Sequence, residues 1–315
     1  ELCITGYTCG DLFTQDILLK DAKKAHIPVI LINNSIDTDD SSLYSCVLGS
    51  DYQKQMKNAG KWLNSYLKEE EEKKEEEEKA AAEALTQEEA EQAESEAAGE
   101  ASDNSQTADD TKSDTADSGT SILDKIIKGS SSAKDQTDST DEDQTEEDSK
   151  IKIAAIQEFI GSEEQLTRAQ GYQTMLEKYS DWEMVAQQTG DDSREEARKV
   201  MKLFLEQEPD LRVVFAESDE MALGAIDAIE ESGKTCGEDG DIIVISFGGS
   251  KEGLEAVKEG KLNVTFECNP NQGPKAAELI QRLESDISID KEQYVEETYF
   301  DTTMDLDEII GSRTY

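Results

Sequence analysis

The chain has 315 residues, 74 acidic and 31 basic with a single histidine, for a formal charge of −43. That balance excludes the basic face on which nucleic-acid binding depends. No apolar stretch approaches the roughly 18 residues of a spanning helix, and no cationic leader precedes a short apolar run; because the chain opens on Glu1 rather than Met, it is expected to be a processed or truncated product.

Taken in chain order, the first continuous apolar run is PVILI at 28–32, which reads as a strand, and 51–68 reads as a helix ending near Leu67. Residues 69–149 then hold 29 acids and seven lysines with no aromatic, Cys or Pro. The Glu/Lys/Ala-rich start of this insert has the propensity to extend the preceding helix as a solvated rod. Its Ser/Thr/Asp-rich remainder has too little apolar surface to offset the entropy of ordering, so it reads as disordered. Within it, Ile122, Leu123, Ile126 and Ile127 share one helical face and read as a transient helix in a tether, the alternative being a docking motif.

Beyond the insert come the strand-like runs IKIAAI at 151–156, RVVFA at 212–216 and DIIVI at 241–245. None has a polar alternate face, so both sides are covered, as in a parallel sheet. Between them Ala197, Val200, Met201, Phe204 and Leu205, and then Ala222, Ala225, Ile226 and Ile229, recur at helical spacing. Strands alternating with helices give an α/β class with right-handed crossovers.

Five cysteines (Cys3, Cys9, Cys46, Cys236, Cys268) contain no C-x-x-C pair, and His26 stands alone. No zinc site, redox pair or Ser-His-Asp triad is expected from these, and no cofactor or metal. The odd count argues against a disulfide framework. Open α/β sheets bind ligands beyond the carboxyl ends of their strands. Those ends are Asn33-Asn34, Gly49-Ser50, Phe159-Ile160-Gly161, Asp191-Asp192, Glu217-Ser218-Asp219, Phe247-Gly248-Gly249 and Glu267 to Asn269. They are polar and hold no nucleophile–base pair, so the expectation is recognition without catalysis. FGGSKEG has a phosphate-cradling look but lacks the P-loop lysine and the dinucleotide spacing.

Three strings, AKKAHIPVILINN at 22–34, VFAESDEMALGAI at 214–226 and EGKLNVTFECNP at 259–270, resemble the type I periplasmic sugar-binding proteins, nearest the ribose- and galactofuranose-binding members of ABC importers. The resemblance runs from about residue 2 to the C-terminus, broken by the insert. It implies a two-lobed α/β fold with parallel sheets, three crossing strands and a sugar held in the interlobe cleft. It also implies that the first lobe is incomplete, with further βα units preceding the strand LCIT. By this reading 1–50 and 268–297 belong to the N-terminal lobe, 51–68 and 150–267 to the C-terminal lobe, 298–315 to a tail on that lobe, and 69–149 to the acidic insert.

Residue by residue, the resemblance places Arg168, in QLTRAQGY, among the sugar ligands, where its fixed donors suit ring and hydroxyl oxygens; the alternative is an exposed arginine. Asp219 is either a ligand or a helix N-cap. Five positions depart from the family pattern: Asn33-Asn34 stand for Asp-Arg, Ser218 for Asn, Asp192 for an aromatic and Gly248 for Asp. Glu267 and Asn269 are candidate replacement acceptors from one strand face, or members of a hinge strand bonded to its own neighbours. The implied function is an extracytoplasmic solute-binding protein that delivers a monosaccharide to an ABC transporter permease, with no nucleic-acid partner and a lipid anchor outside this chain. The alternative is the effector-binding domain of a sugar-responsive repressor or membrane sensor.

Overall fold

The computed structural model describes residues 3–6, 12–33, 36, 38–100 and 150–315. Asn34, the apolar face at Ile122 to Ile127, and the Ser/Thr/Asp-rich part of the insert lie outside the described residues. The chain divides into two units, Glu1–Leu63 with Asp148–Tyr315, and Asn64–Glu147.

The first unit holds two sheets. One is all-parallel, in the spatial order β1 (Cys3–Gly6), β2 (Val29–Ile32), β3 (Cys46–Gly49), β9 (Glu292–Tyr294). Period-2 alternation decides what each face of β2 meets. Val29 and Leu31 pack with Leu19 of helix α1 (Leu12–Lys24) and with Leu43. Ile30 turns the other way, joining Cys46 and Leu48 against Ala276 and Leu279 of α7 (Gly273–Glu284).

The second sheet runs β10 (Tyr299–Asp301), β8 (Val264–Glu267), β7 (Ile243–Gly248), β6 (Val213–Ala216), β4 (Ile151–Gln157), β5 (Trp182–Thr189), with only β10 antiparallel. Relative to the sequence reading, β7 begins at Ile243 rather than Asp241 and extends to Gly248. Helices α4 (Arg194–Gln207) and α5 (Asp219–Glu231) bring the periodic residues Ala197, Val200, Met201, Phe204, Ala222, Ala225, Ile226 and Ile229 onto one face of this sheet as a single buried cluster. The two helices approach so closely that a Cβ at Gly224 would lie 2.2 Å from the Arg194 carbonyl oxygen. Four serines, Ser162, Ser193, Ser218 and Ser250, cap the starts of α3 (Glu163–Lys178), α4, α5 and α6 (Lys251–Lys258), each accepting from a backbone N–H of the first turn. The caps set these helix starts at the carboxyl edge of the sheet. A short helix α8 (Asp307–Ser312) ends the described chain.

The chain passes between the two sheets three times: from β3 into α2, from β8 into α7 and from β9 into β10. Helix α2 does not end near Leu67. It spans Tyr52–Glu100, because Glu, Lys and Ala carry no helix-stopping signal and favour continuation. Met56, Ala59 and Leu63 are buried in the first unit. In the second unit the same helix is exposed throughout 71–84.

Gly224→Ala is expected to destabilise the first unit by about 1–3 kcal/mol, the usual cost of overpacking, read as a lowered midpoint in urea. Replacing residues 69–149 by a short Gly/Ser loop should lower the melting temperature by less than about 8 °C, roughly 2–4 kcal/mol for a domain of this size; a larger drop would mean the insert contributes to the folded core.

Candidate functional site

In the second sheet, chain order reverses between β4 and β6: β5 lies to one side, β7 and β8 to the other. A doubly wound sheet opens a crevice at the carboxyl end of such a switch point. Glu158 and Glu217 stand there, one residue beyond β4 and β6, and the Glu158 backbone N–H donates to Glu217 Oε2 at 2.9 Å. Thr189, at the end of β5, donates to the Glu158 carbonyl at 3.0 Å, tying a third strand end to the same point.

Arg168 lies beside them, in the first half of α3, and is 2% exposed. Its guanidinium carbon is 4.6 Å from the centroid of the Phe247 ring and 5.1 Å from that of Tyr52, a cation–π arrangement with both. Nη2 reaches Cys268 Sγ at 3.6 Å. Nε and Nη1 have no hydrogen-bond partner among the described residues, and neither the Tyr172 hydroxyl one turn along α3 nor Glu217 Oε1 makes a bond of normal geometry. Buried polar groups are ordinarily paired, so the unpaired arginine donors at a switch point make this edge the candidate site. Arg168 is therefore not the exposed arginine weighed as its alternative.

Burial governs the titration of this edge. Desolvation pushes Glu217 up to about 7 against the opposing charge of Arg168, and pushes Glu158 up to about 7 with help from the charge of Asp192. Burial also raises the Cys268 thiol to about 12 despite the nearby Arg168. The Tyr52 hydroxyl, which donates to Glu164 Oε1 at 2.6 Å, is raised by burial first and by Glu164 second.

The other sequence candidates take varied positions. Asp219 is not the N-cap, because Ser218 fills that role by accepting from Met221 N. Asp219 is buried, accepting from Ser246 Oγ at 2.5 Å and Thr265 Oγ1 at 2.7 Å through Oδ1 and from Ser250 N at 2.7 Å through Oδ2. Glu267 and Asn269 do not act from one face. The Glu267 carboxylate accepts from Arg313 Nη1 at 2.6 Å and from the Tyr315 hydroxyl at 2.9 Å, whereas Asn269 lies past the end of β8 and its Oδ1 accepts from Asn271 N at 2.9 Å. Asn33 is exposed with φ 51° and bonds through Oδ1 to Gln272 Nε2. Asp192 is exposed in the turn after β5, with φ 49°. Gly248, φ 154°, has no room for a side chain, since a Cβ there would meet Asp219 Oδ2 at 2.5 Å.

Sequence reading named Glu217 as a strand-end position without giving it a role, and it missed Glu158 and Tyr172. Glu217 was within reach, since it ends an apolar strand. Tyr172 was hidden, because its spacing from Arg168 is that of any helical neighbour.

The sequence profile described as the periplasmic binding protein domain matches residues 112–286, more than half of the chain. The chain belongs to the periplasmic binding protein family. The ribose import binding protein of Salmonella typhimurium is 34% identical over 133 residues, 42% of this chain and 43% of that protein. The galactofuranose-binding protein of Escherichia coli is 22% identical over 272 residues, 85% of this chain and 60% of that protein. Among solved structures, the periplasmic binding protein component of the arabinose ABC transporter from Shewanella sp. ANA-3, bound to arabinofuranose, superposes with a TM-score of 0.60 at 23% identity, over 91% of this chain and 69% of that one. At that identity the likeness is one of fold. The chain spans less than half the length of the ribose-binding relatives it matches.

Because Glu158 and Glu217 titrate above the ordinary carboxyl value of 4.5, the folded protein keeps protons that the unfolded chain releases. Their contribution to stability is complete below about pH 4.5 and is lost as the pH rises through about 7. Glu217→Gln, which keeps an acceptor for the Glu158 N–H, should reduce that loss, a gain over the parent on the order of 2 kcal/mol at pH 8 that is absent near pH 4. Chemical denaturation at both pH values checks it; an unchanged pH dependence would mean that Glu217 is not desolvated.

Proposed function

We propose that this chain is the ligand-recognising part of an extracytoplasmic solute-binding protein, which holds a monosaccharide in the cleft between two lobes and presents it to an ABC importer. The observation that carries the reading is the buried arginine at the switch point, with Nε and Nη1 unpaired beside Glu217 and the Tyr172 hydroxyl that faces it. A sugar hydroxyl both donates and accepts, so neighbouring hydroxyls can take the fork of an arginine and give their protons to a carboxylate. The faces of Phe247 and Tyr52 hold the guanidinium in place, which lowers the entropy lost when it grips a ligand. Family membership and relatives that bind ribose and galactofuranose support the same class of ligand.

In this reading Arg168 is the principal donor, Glu217 and Glu158 are acceptors, and Asn33, Asp192 and Asn269 line the approach. Ser218, Asp219 and Glu267 hold the strand ends in place. The permease partner and a lipid anchor at the membrane surface belong to the proposal.

The test is calorimetry on the full-length protein against pentoses, hexoses and furanosides. One of these sugars should bind, and Arg168→Met, which keeps apolar volume between the two rings, should weaken it about tenfold to a hundredfold, the worth of a charged hydrogen bond. Equal affinity in both proteins would remove Arg168 from the site. Failure of every sugar to bind would remove the sugar reading itself.

A further inference from the structure

Where the chain crosses between the sheets, one carboxylate gathers all three passages. Glu297, between β9 and β10, accepts at Oε1 from Ser50 Oγ at 2.6 Å and from the Asn269 backbone N–H at 2.8 Å, and at Oε2 from Gln55 Nε2 at 2.9 Å. Ser50 belongs to the first passage, Asn269 to the second and Glu297 itself to the third, while Gln55 sits in the opening turn of α2. The second hydrogen of the Gln55 amide is taken up as well, since Nε2 also reaches the Glu267 carbonyl at 2.9 Å. The second and third passages are further joined by Glu267 N to Thr298 O at 2.8 Å.

We infer that Glu297 is the positioning residue of the hinge: by holding the three passages on one carboxylate it sets the balance between open and closed arrangements of the two lobes. A group bonded to a single passage would stabilise that passage alone. A group bonded to all three resists rotation of one sheet against the other, because any such rotation moves three donors relative to one pair of oxygens. Charge-assisted bonds are the stronger kind, and here they are partly screened from water. Gln55 connects this knot toward the ligand wall, since its amide contacts Cys268 Sγ at 3.5 Å and that sulfur contacts Arg168 Nη2 at 3.6 Å. A ligand that draws on Arg168 therefore acts three contacts away from the hinge carboxylate.

The inference rests on the two-lobed fold and on the reading of its cleft as a binding site, but its test needs no sugar. Donor and acceptor dyes are placed at the exposed residues Lys24 on α1 and Lys199 on α4 through non-canonical amino acids, which leaves the cysteines unlabelled, and the ligand-free full-length protein is examined by single-molecule energy transfer. Amide exchange at Asn269 is followed in parallel. Glu297→Ala should broaden or shift the interlobe distance distribution and speed Asn269 exchange by about tenfold or more, the factor expected for a lost charged hydrogen bond. Ser50→Ala, which removes one donor of the three, should move both readouts in the same direction by less. Unchanged distances and unchanged exchange in Glu297→Ala overturn the inference, as does a Ser50→Ala shift in the opposite direction. Should Glu297→Ala fail to fold, Ser50→Ala decides alone, and parent-like distances and exchange in it overturn the inference. Because no ligand enters the measurement, such a failure is separate from failure of any sugar to bind.

Discussion

The edge on which the site is built depends on one buried carboxylate. Asp219 opens α5, yet its oxygens are committed to Ser246 of β7, Thr265 of β8 and the backbone N–H of Ser250 at the cap of α6. A buried charge is tolerated only when its hydrogen bonds are satisfied, so the ends of two strands and the starts of two helices are held at fixed distances around it. The demand extends to its neighbours. Gly248 and Gly253 are positions where a Cβ would fall 2.5 Å and 2.4 Å from Asp219 Oδ2, so the carboxylate occupies the space that side chains there would need. With the β7 end held, Gly248 O receives the Cys268 N–H at 2.9 Å, and Phe247 and Cys268 stand on two sides of Arg168.

On that frame the electrostatics have a simple sign. The switch point collects carboxyls from β4 and β6 in a setting dry enough to raise both to about 7, with Arg168 as the cation opposing the rise. The arginine keeps unpaired donors while two aromatic rings and a thiol pack around its guanidinium. Unpaired arginine donors thus remain at the carboxyl edge. The passages between the sheets converge on Glu297 within a few contacts of Arg168.

Apolar runs without a polar face could be read as covered parallel strands before any coordinates, and β2, β4 and β6 lie where those runs lie. Helical periodicity placed Ala197 to Phe204 and Ala222 to Ile229 correctly, because a 3.6 repeat of apolar residues has few other ways to be buried. The resemblance of a local motif singled out Arg168, which the structure buries beside the switch point. The partners of Asp219, Glu267 and Glu297 were not legible, since a carboxylate in a sequence says nothing of which donors surround it. Glu267 meets Arg313 across 46 positions, and Glu297 meets Ser50 across 247.

The sequence by itself determined the α/β class, the alternation of covered strands with amphipathic helices, and the strongly acidic balance, because these follow from composition and from repeats within a few residues. Tertiary structure alone decided which strand ends meet at the switch point, which carboxylates are spent on holding the edge and which stay unpaired, and which residue joins the three passages. Those outcomes depend on hydrogen bonds between segments far apart in the chain, and no local pattern specifies the partner of a buried charge.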